Sequence, residues 1–152
     1  MSKEELIDWY RKKITEIPNE DCQIENQTSN RLDVSSQAEE IPSEFSIEIN
    51  LSSRQLKFLA PISPETPEDG IELLCLSSVT DSSFAIGKFR DKAQFVIQKD
   101  LPLYQELKLS ESDFYSNLIR FFAGWDVANK TVASDVEDNQ FQEKSKPPQK
   151  SQ

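Results

Sequence analysis

Carboxylates are the main chemical groups that this 152-residue sequence offers. The densest local set is Glu65, Glu68, Asp69 and Glu72, in and beside a proline-rich stretch. Carboxylate oxygens bind divalent cations, but this spacing does not match a calcium-binding loop. Two carboxylates also act as acid and base in glycoside hydrolysis, but tertiary structure must bring such a pair together. The acidic residues alone therefore predict neither a metal site nor an active site.

Several other kinds of chemistry lack the residues they need. The sequence has no histidine, which is the commonest general base and metal ligand. Cys22 and Cys75 are far apart and form no zinc-binding cluster. The three glycines, Gly70, Gly87 and Gly124, are not grouped, as a phosphate-binding loop would require. We therefore predict a protein that is not an enzyme and that has no metal or other cofactor.

The charge balance restricts the partners. The formal net charge is −10, from 27 acidic and 17 basic residues. Such a chain repels nucleic acid and anionic membranes, whereas it attracts basic proteins; the charge also favours solubility by itself. The start of the sequence does not resemble a signal peptide, and no apolar run reaches the roughly 20 residues of a transmembrane helix. The sequence thus predicts a cytosolic protein that binds neither nucleic acid nor membrane.

A capping box opens the sequence, with Ser2 followed three residues later by Glu5. Apolar residues then recur with helical period, and Pro18 ends the pattern. We predict a helix over residues 3–17. The side chains expected to face the rest of the protein are Leu6, Trp9 or Tyr10, Ile14 and Ile17.

A second helix is predicted to start after Ser110, with Glu111 and Asp113 in its first turn. Its apolar stripe extends to about residue 133 and contains Phe114, Leu118, Phe121, Phe122 and Trp125. Residues 135–152 are polar and lack a period, so a disordered tail is predicted there.

Between the helices the apolar period changes to two, which is typical of strands. Strands are predicted over residues 45–51 and 55–60, which are joined as a hairpin. Another strand is predicted over residues 71–79, where both the odd and the even positions carry apolar residues, as in a strand that is buried on both faces. Two more, 84–89 and 94–98, flank a tight turn at Arg90–Ala93, after which residues 99–103 are predicted to leave the sheet.

These elements predict an α+β fold in which an antiparallel sheet of about five strands is flanked by an N-terminal and a C-terminal helix. Residues 1–134 form the single domain, and residues 18–43 are a polar connector within it, in which a short strand at 31–35 remains open. Residues 61–70 contain three prolines and form a loop.

The passage GKFRDKAQFVIQKDLPL, residues 87–103, resembles the type III secretion chaperone-like proteins, including the YbjN-like proteins. Those proteins carry a similar G-x-F, turn, strand and D-L-P-L passage ahead of their last helix. Residues 71–79 resemble their central strand. The family commonly has a helix between these two passages, where this sequence has only Thr80–Ser83. The resemblance implies protein binding and no catalytic residues.

The leading functional prediction is a non-catalytic, chaperone- or adaptor-like module that binds a protein client, and the net negative charge favours a basic client. The candidate contact residues are Leu74, Leu76, Phe84 and Ile86; the alternative is that all four belong to the core. A homodimer also remains open. The alternative function is a small-ligand module with a pocket between the sheet and the C-terminal helix, lined by Phe114, Phe121 and Trp125.

Overall fold

The computed structural model describes residues 2–17, 22–62, 82–104 and 108–145, with side chains described as far as Lys130. Two helices flank a six-stranded antiparallel sheet, which confirms the predicted α+β class, although about five strands were expected. The strand order is β1-β2-β3-β4-β6-β5. The elements are α1 (Lys3–Thr15), β1 (Gln23–Gln27), β2 (Arg31–Ser35), β3 (Glu44–Asn50), β4 (Gln55–Pro61), β5 (Ser83–Phe89), β6 (Lys92–Pro102) and α2 (Glu111–Ser145).

The predicted capping residue begins α1. The Ser2 Oγ accepts a hydrogen bond from the Glu5 N–H at 3.1 Å, which satisfies one of the free donors of the first turn. The helix ends at Thr15, two residues before the predicted end. Tyr10 is fully buried, whereas Trp9 is only partly buried.

Tyr10 ties α1 to the segment that precedes α2. Its hydroxyl oxygen accepts a hydrogen bond from the Leu109 N–H at 3.2 Å. Burial disfavours the charged phenolate and raises the pKa of Tyr10 to about 12, although the Leu109 N–H acts in the opposite direction.

A Tyr10→Phe variant tests the burial of the Tyr10 hydroxyl through pH. The pKa of Tyr10 is higher in the folded protein than its ordinary value of 10.0. The neutral phenol therefore contributes its full stabilisation of the folded state below pH 10.0, and this contribution is lost as the pH rises through about 12. Two pKa units correspond to about 2–3 kcal/mol. Urea denaturation across this range should show a steeper loss of stability for the wild type than for Tyr10→Phe. Parallel pH profiles would contradict the prediction.

The predicted connector at 18–43 contains a hairpin, formed by β1 and β2. The short strand considered at 31–35 is confirmed as β2. β1 was not predicted because it is an edge strand that is largely exposed on both faces. A register irregularity between Ile24 and Asn26 also disturbs the alternation from which strands are recognised.

β3 and β4 pair as the predicted hairpin. β5 and β6 also pair as predicted, and Arg90 and Asp91, both with positive φ, form the two-residue turn between them. The prediction that residues 99–103 leave the sheet is wrong, since β6 remains paired with β4 as far as Pro102. The continuation was not predicted because Lys99 and Asp100, two adjacent charged residues, interrupt the apolar pattern of the strand. The predicted strand at 71–79 lies outside the described residues.

α2 begins as predicted, with the Ser110 Oγ accepting from the Asp113 N–H at 3.2 Å. Its backbone continues to Ser145, beyond the predicted domain boundary at 134 and into the region predicted to be a disordered tail. The sequence has no glycine or proline between Trp125 and Lys146 to interrupt the helix. The division into a domain and a tail stays a prediction.

The core lies between both helices and one face of the sheet. Phe58 of β4 is fully buried, and its ring centroid lies 5.6 Å from that of Phe121 and 6.0 Å from that of Phe114. The same core contains Leu6, Ile7, Tyr10, Ile14, Leu32, Val34, Phe45, Ile47, Leu56, Ala60, Ile97, Leu118 and Ala128.

The opposite face of the sheet carries a buried carboxylate, Asp33, which is 5% exposed. Its Oδ1 accepts from the Ser46 hydroxyl at 2.8 Å and lies 3.2 Å from the Arg31 Nε and 3.7 Å from the Arg90 Nε. Arg90, in the β5–β6 turn, also donates to the carbonyl oxygens of Val34 at 2.8 Å and Phe45 at 3.2 Å. One guanidinium thus joins the β5–β6 turn to β2 and β3.

Candidate protein-binding surface

The structure separates the predicted partner-binding residues. Phe84 is 5% exposed and belongs to the core, whereas Ile86 on the same strand is 75% exposed. Both positions face the same side of β5 because side chains alternate along a strand. β5 is an edge strand, and the core ends between these two positions. Leu74 and Leu76 lie outside the described residues, so their role stays a prediction.

The predicted ligand pocket between the sheet and α2 is filled by protein. Phe114 and Phe121 are fully buried, and their rings contact that of Phe58. The indole Nε1 of Trp125 donates to the Pro61 carbonyl oxygen at 3.1 Å, which fixes that ring against the end of β4. Among the described residues, Phe114 and Phe121 therefore pack as core, and the partly buried Trp125 packs against it.

An exposed aliphatic side chain on α2 marks a different surface. Ile119 is 65% exposed and, together with Phe122, lines two neighbouring cavities of about 520 and 570 Å³. Because the cavities share these two residues, they are successive stretches of one groove along α2, which we call the α2 groove. Its apolar lining consists of Ile17, Ala38, Ile41, Tyr115, Leu118, Ile119, Phe122 and Ala123.

The first stretch of the α2 groove lies between α2 and the C-terminal end of α1. Ile17 lines it on the α1 side, and Tyr115 and Leu118 line it on the α2 side. The Tyr115 hydroxyl donates to the Lys13 carbonyl oxygen at 2.8 Å. This hydrogen bond uses one of the unsatisfied carbonyls at the end of α1 and holds the two walls together.

The second stretch lies between α2 and the loop that follows β2. Ala38 and Ile41 form the loop wall, and Ala123 lies on the α2 side. The loop is held at its base, where the Ser36 N–H donates to the Ser43 carbonyl at 2.9 Å. Ile41 is 7% exposed, so it anchors the loop in the core while the neighbouring Glu39 and Glu40 remain exposed.

Acidic side chains line the α2 groove along its whole length: Glu16, Glu39, Glu40, Glu111 and Asp126. Two lysines offset part of this charge. The Lys13 Nζ lies 3.7 Å from a carboxylate oxygen of Glu16 and of Glu111, and the Lys130 Nζ lies 2.9 Å from Asp126. Glu39 and Glu40 form no ion pair with any described residue. Five carboxylates therefore face two ammonium groups.

The titration of two neighbouring residues reflects this charge. Burial raises the pKa of the Tyr115 hydroxyl, and the negative charges of Glu16 and Glu111 raise it further. The hydrogen bond and charge of Asp126, together with the charge of Glu40, raise the pKa of Lys130. The groove thus combines an apolar floor with a negative potential at its rim.

Another cavity, of about 320 Å³, lies between the start of α1 and the β3–β4 turn. Its lining is mostly polar and includes Lys3, Asn30 and Lys57, so it offers little apolar surface to a partner. The described residues contain no cluster of three or more potential metal ligands. In the described part of the chain, neither helix combines the length and apolar character that crossing a membrane requires.

No family model matches the sequence, and no curated protein matches it. Two solved structures align with this chain, each with a TM-score of 0.49. One is a chain of the HopA1–SchA chaperone–effector complex, with 9% identity over 80% of this chain and 91% of that chain. The other is a chain of the ExsC–ExsE complex, with 10% identity over 86% of this chain and 92% of that chain. Likeness at this level indicates neither the function nor the partner of this chain, and the YbjN-like resemblance stays a prediction.

The α2 groove was not predicted, although most of its α2 residues were placed on the correct helix. The predicted apolar stripe contained Phe122, which lines the groove, but did not include Ile119 or Tyr115. On a helix of about 3.6 residues per turn, Ile119 lies well away from the centre of that stripe. The signal in the sequence that could have indicated this surface was a large aliphatic residue, Ile119, outside the apolar stripe of the helix.

Proposed function

We propose that this chain is a non-catalytic, chaperone- or adaptor-like module of the cytosol that binds another protein through the α2 groove. The observation that carries this proposal is Ile119, which is 65% exposed and lies where the apolar first stretch of the α2 groove meets its more acidic second stretch. Exposed aliphatic surface that is concave and rimmed by polar groups is typical of protein-binding sites.

The energetics favour a polypeptide as the occupant. Burying one large aliphatic side chain contributes about 1.5–3 kcal/mol, and binding sites concentrate their free energy in a few such contacts. The aliphatic Ile119 and the partly buried aromatic ring of Tyr115 provide two apolar contacts in neighbouring turns of α2. The homodimer predicted as an option from the sequence stays a prediction.

Site-specific photo-crosslinking tests the surface. We expect a benzophenone amino acid at position 119 to form a covalent adduct with another protein in cells of the native host, detected as a mass shift of the chain. Position 52, in the exposed β3–β4 turn outside the α2 groove, is the matched control and should give no adduct. The same probe at position 86 examines the residue that the sequence predicted.

The outcomes separate the two surfaces. Adducts at 119 without adducts at 52 support the proposal. Adducts at 86 alone would move the interface to the edge of β5, in line with the prediction from sequence, and would overturn the assignment to the α2 groove. Equal adducts at 52 and 119 would indicate non-specific contact and would equally overturn it.

A further inference from the structure

The α2 groove differs from a sheet edge in what it offers a bound chain. Its α2 wall is the side of a continuous helix, whose interior N–H and C=O groups are already paired. An extended peptide lying there would leave much of its own backbone without partners on this wall. A helix pairs its own backbone groups and needs only side-chain contacts, so this geometry favours a helical occupant.

The length of the groove sets the length of that helix. The lining residues on α2 run from Glu111 to Asp126, which is about 22 Å at a rise of about 1.5 Å per residue. An antiparallel or parallel helix of about 15 residues spans this distance. Its apolar side chains must recur every three or four residues to stay on the face that meets Ile119.

The charge of the rim defines the other face of the occupant. Glu39 and Glu40 have no ion-pair partner among the described residues, and Glu16, Glu111 and Asp126 share two lysines. Lysine or arginine side chains flanking the apolar face would meet these carboxylates. A second copy of this chain, with a net charge of −10, would instead bring acidic surfaces together.

We infer that the α2 groove binds a basic amphipathic helix of another protein, with its apolar side chains against Ile119 and its basic side chains along the acidic rim. This inference rests on the proposed function and adds the chemical class of the partner.

Fluorescence anisotropy with the full chain and a labelled peptide tests the inference. The probe is a helical peptide of about 16 residues, with leucines at positions i, i+4, i+7 and i+11 and lysines beside them. One control peptide has the same composition in an order without helical period, and another carries glutamate in place of each lysine. Both controls should bind roughly tenfold more weakly or worse.

Two protein variants locate the contact. Ile119→Asp and the double variant Glu39→Lys/Glu40→Lys should each weaken peptide binding roughly tenfold. Added salt should weaken wild-type binding more than that of the double variant, since screened charges lose their attraction. Ser52→Asp is the control outside the groove and should leave binding unchanged. Circular dichroism confirms that each variant is folded.

The failures are distinguishable. Adducts at position 119 combined with equal binding of all three peptides would overturn the basic-helix inference and leave the proposed function standing. An absence of both adducts and peptide binding would overturn both. A mass twice that of the chain, lost in Ile119→Asp, would assign the groove to a second copy. Tighter peptide binding after Lys144, Lys146 and Lys150 are changed to Gln would assign it to the chain's own basic end.

Discussion

Replacing Phe58 with alanine is expected to lower the free energy of unfolding by about 3–5 kcal/mol. Phe58 is fully buried on β4, and its ring contacts Phe114 and Phe121 of α2. The substitution removes apolar contacts and opens a cavity where the sheet meets α2. Since a domain of this size is stable by only about 5–15 kcal/mol, the midpoint of urea denaturation should fall markedly.

Phe58→Leu is the matched control for this substitution. It keeps most of the apolar volume and loses the ring contacts, so we expect a smaller loss of about 1–2 kcal/mol. If Phe58→Ala were as stable as the wild type in urea, monitored by circular dichroism, the packing of α2 on this face of the sheet would be wrong.

The second large effect is expected at Arg90, where Arg90→Ala should lower the free energy of unfolding by about 2–4 kcal/mol. The guanidinium donates to the Val34 and Phe45 carbonyls and lies 3.7 Å from the buried Asp33 carboxylate. Its loss leaves two carbonyls and part of a buried charge without partners. The side chain is 22% exposed, so solvent reduces the loss.

A double-mutant cycle separates these contributions. Asp33→Ala and Arg90→Ala together should destabilise the protein by less than the sum of the two single changes, since each removes the need for the other. Arg90→Lys, which keeps the charge and loses the planar fork of donors, should lie between wild type and Arg90→Ala. Additive single effects in urea denaturation would contradict a shared interaction.

Local chemistry made much of the fold predictable. Ser2 and Ser110 each accept a hydrogen bond in the first turn of the helix that their types predicted. The alternation of residues 45–51 matches β3, whose inward side chains are buried. The turn at Arg90–Asp91 lies within the predicted turn, because a short apolar run precedes it and another follows it.

Other elements were hidden because their residues follow no simple pattern. β1 is largely exposed on both faces, so its five residues show no clear apolar alternation, and it is defined mainly by its pairing with β2. Lys99 lies at a buried position of β6, where the pattern called for an apolar residue. The candidate surface was not predicted for a further reason: Ile119 lines it together with Ile17 on one side and Ile41 on the other, and these residues lie far apart in the sequence.

The composite origin of the α2 groove has a thermodynamic consequence. Its walls come from the end of α1, the loop after β2 and α2, and the Tyr115–Lys13 hydrogen bond joins the two helices. A ligand of this groove therefore binds only the folded chain, and by mass action it stabilises the native state by RT ln(1 + [L]/Kd). The free energy of unfolding therefore rises with the fraction of the groove that is occupied. At a partner concentration of about 100 times Kd, the gain is about 2.7 kcal/mol, which is comparable to the loss expected from removing Arg90.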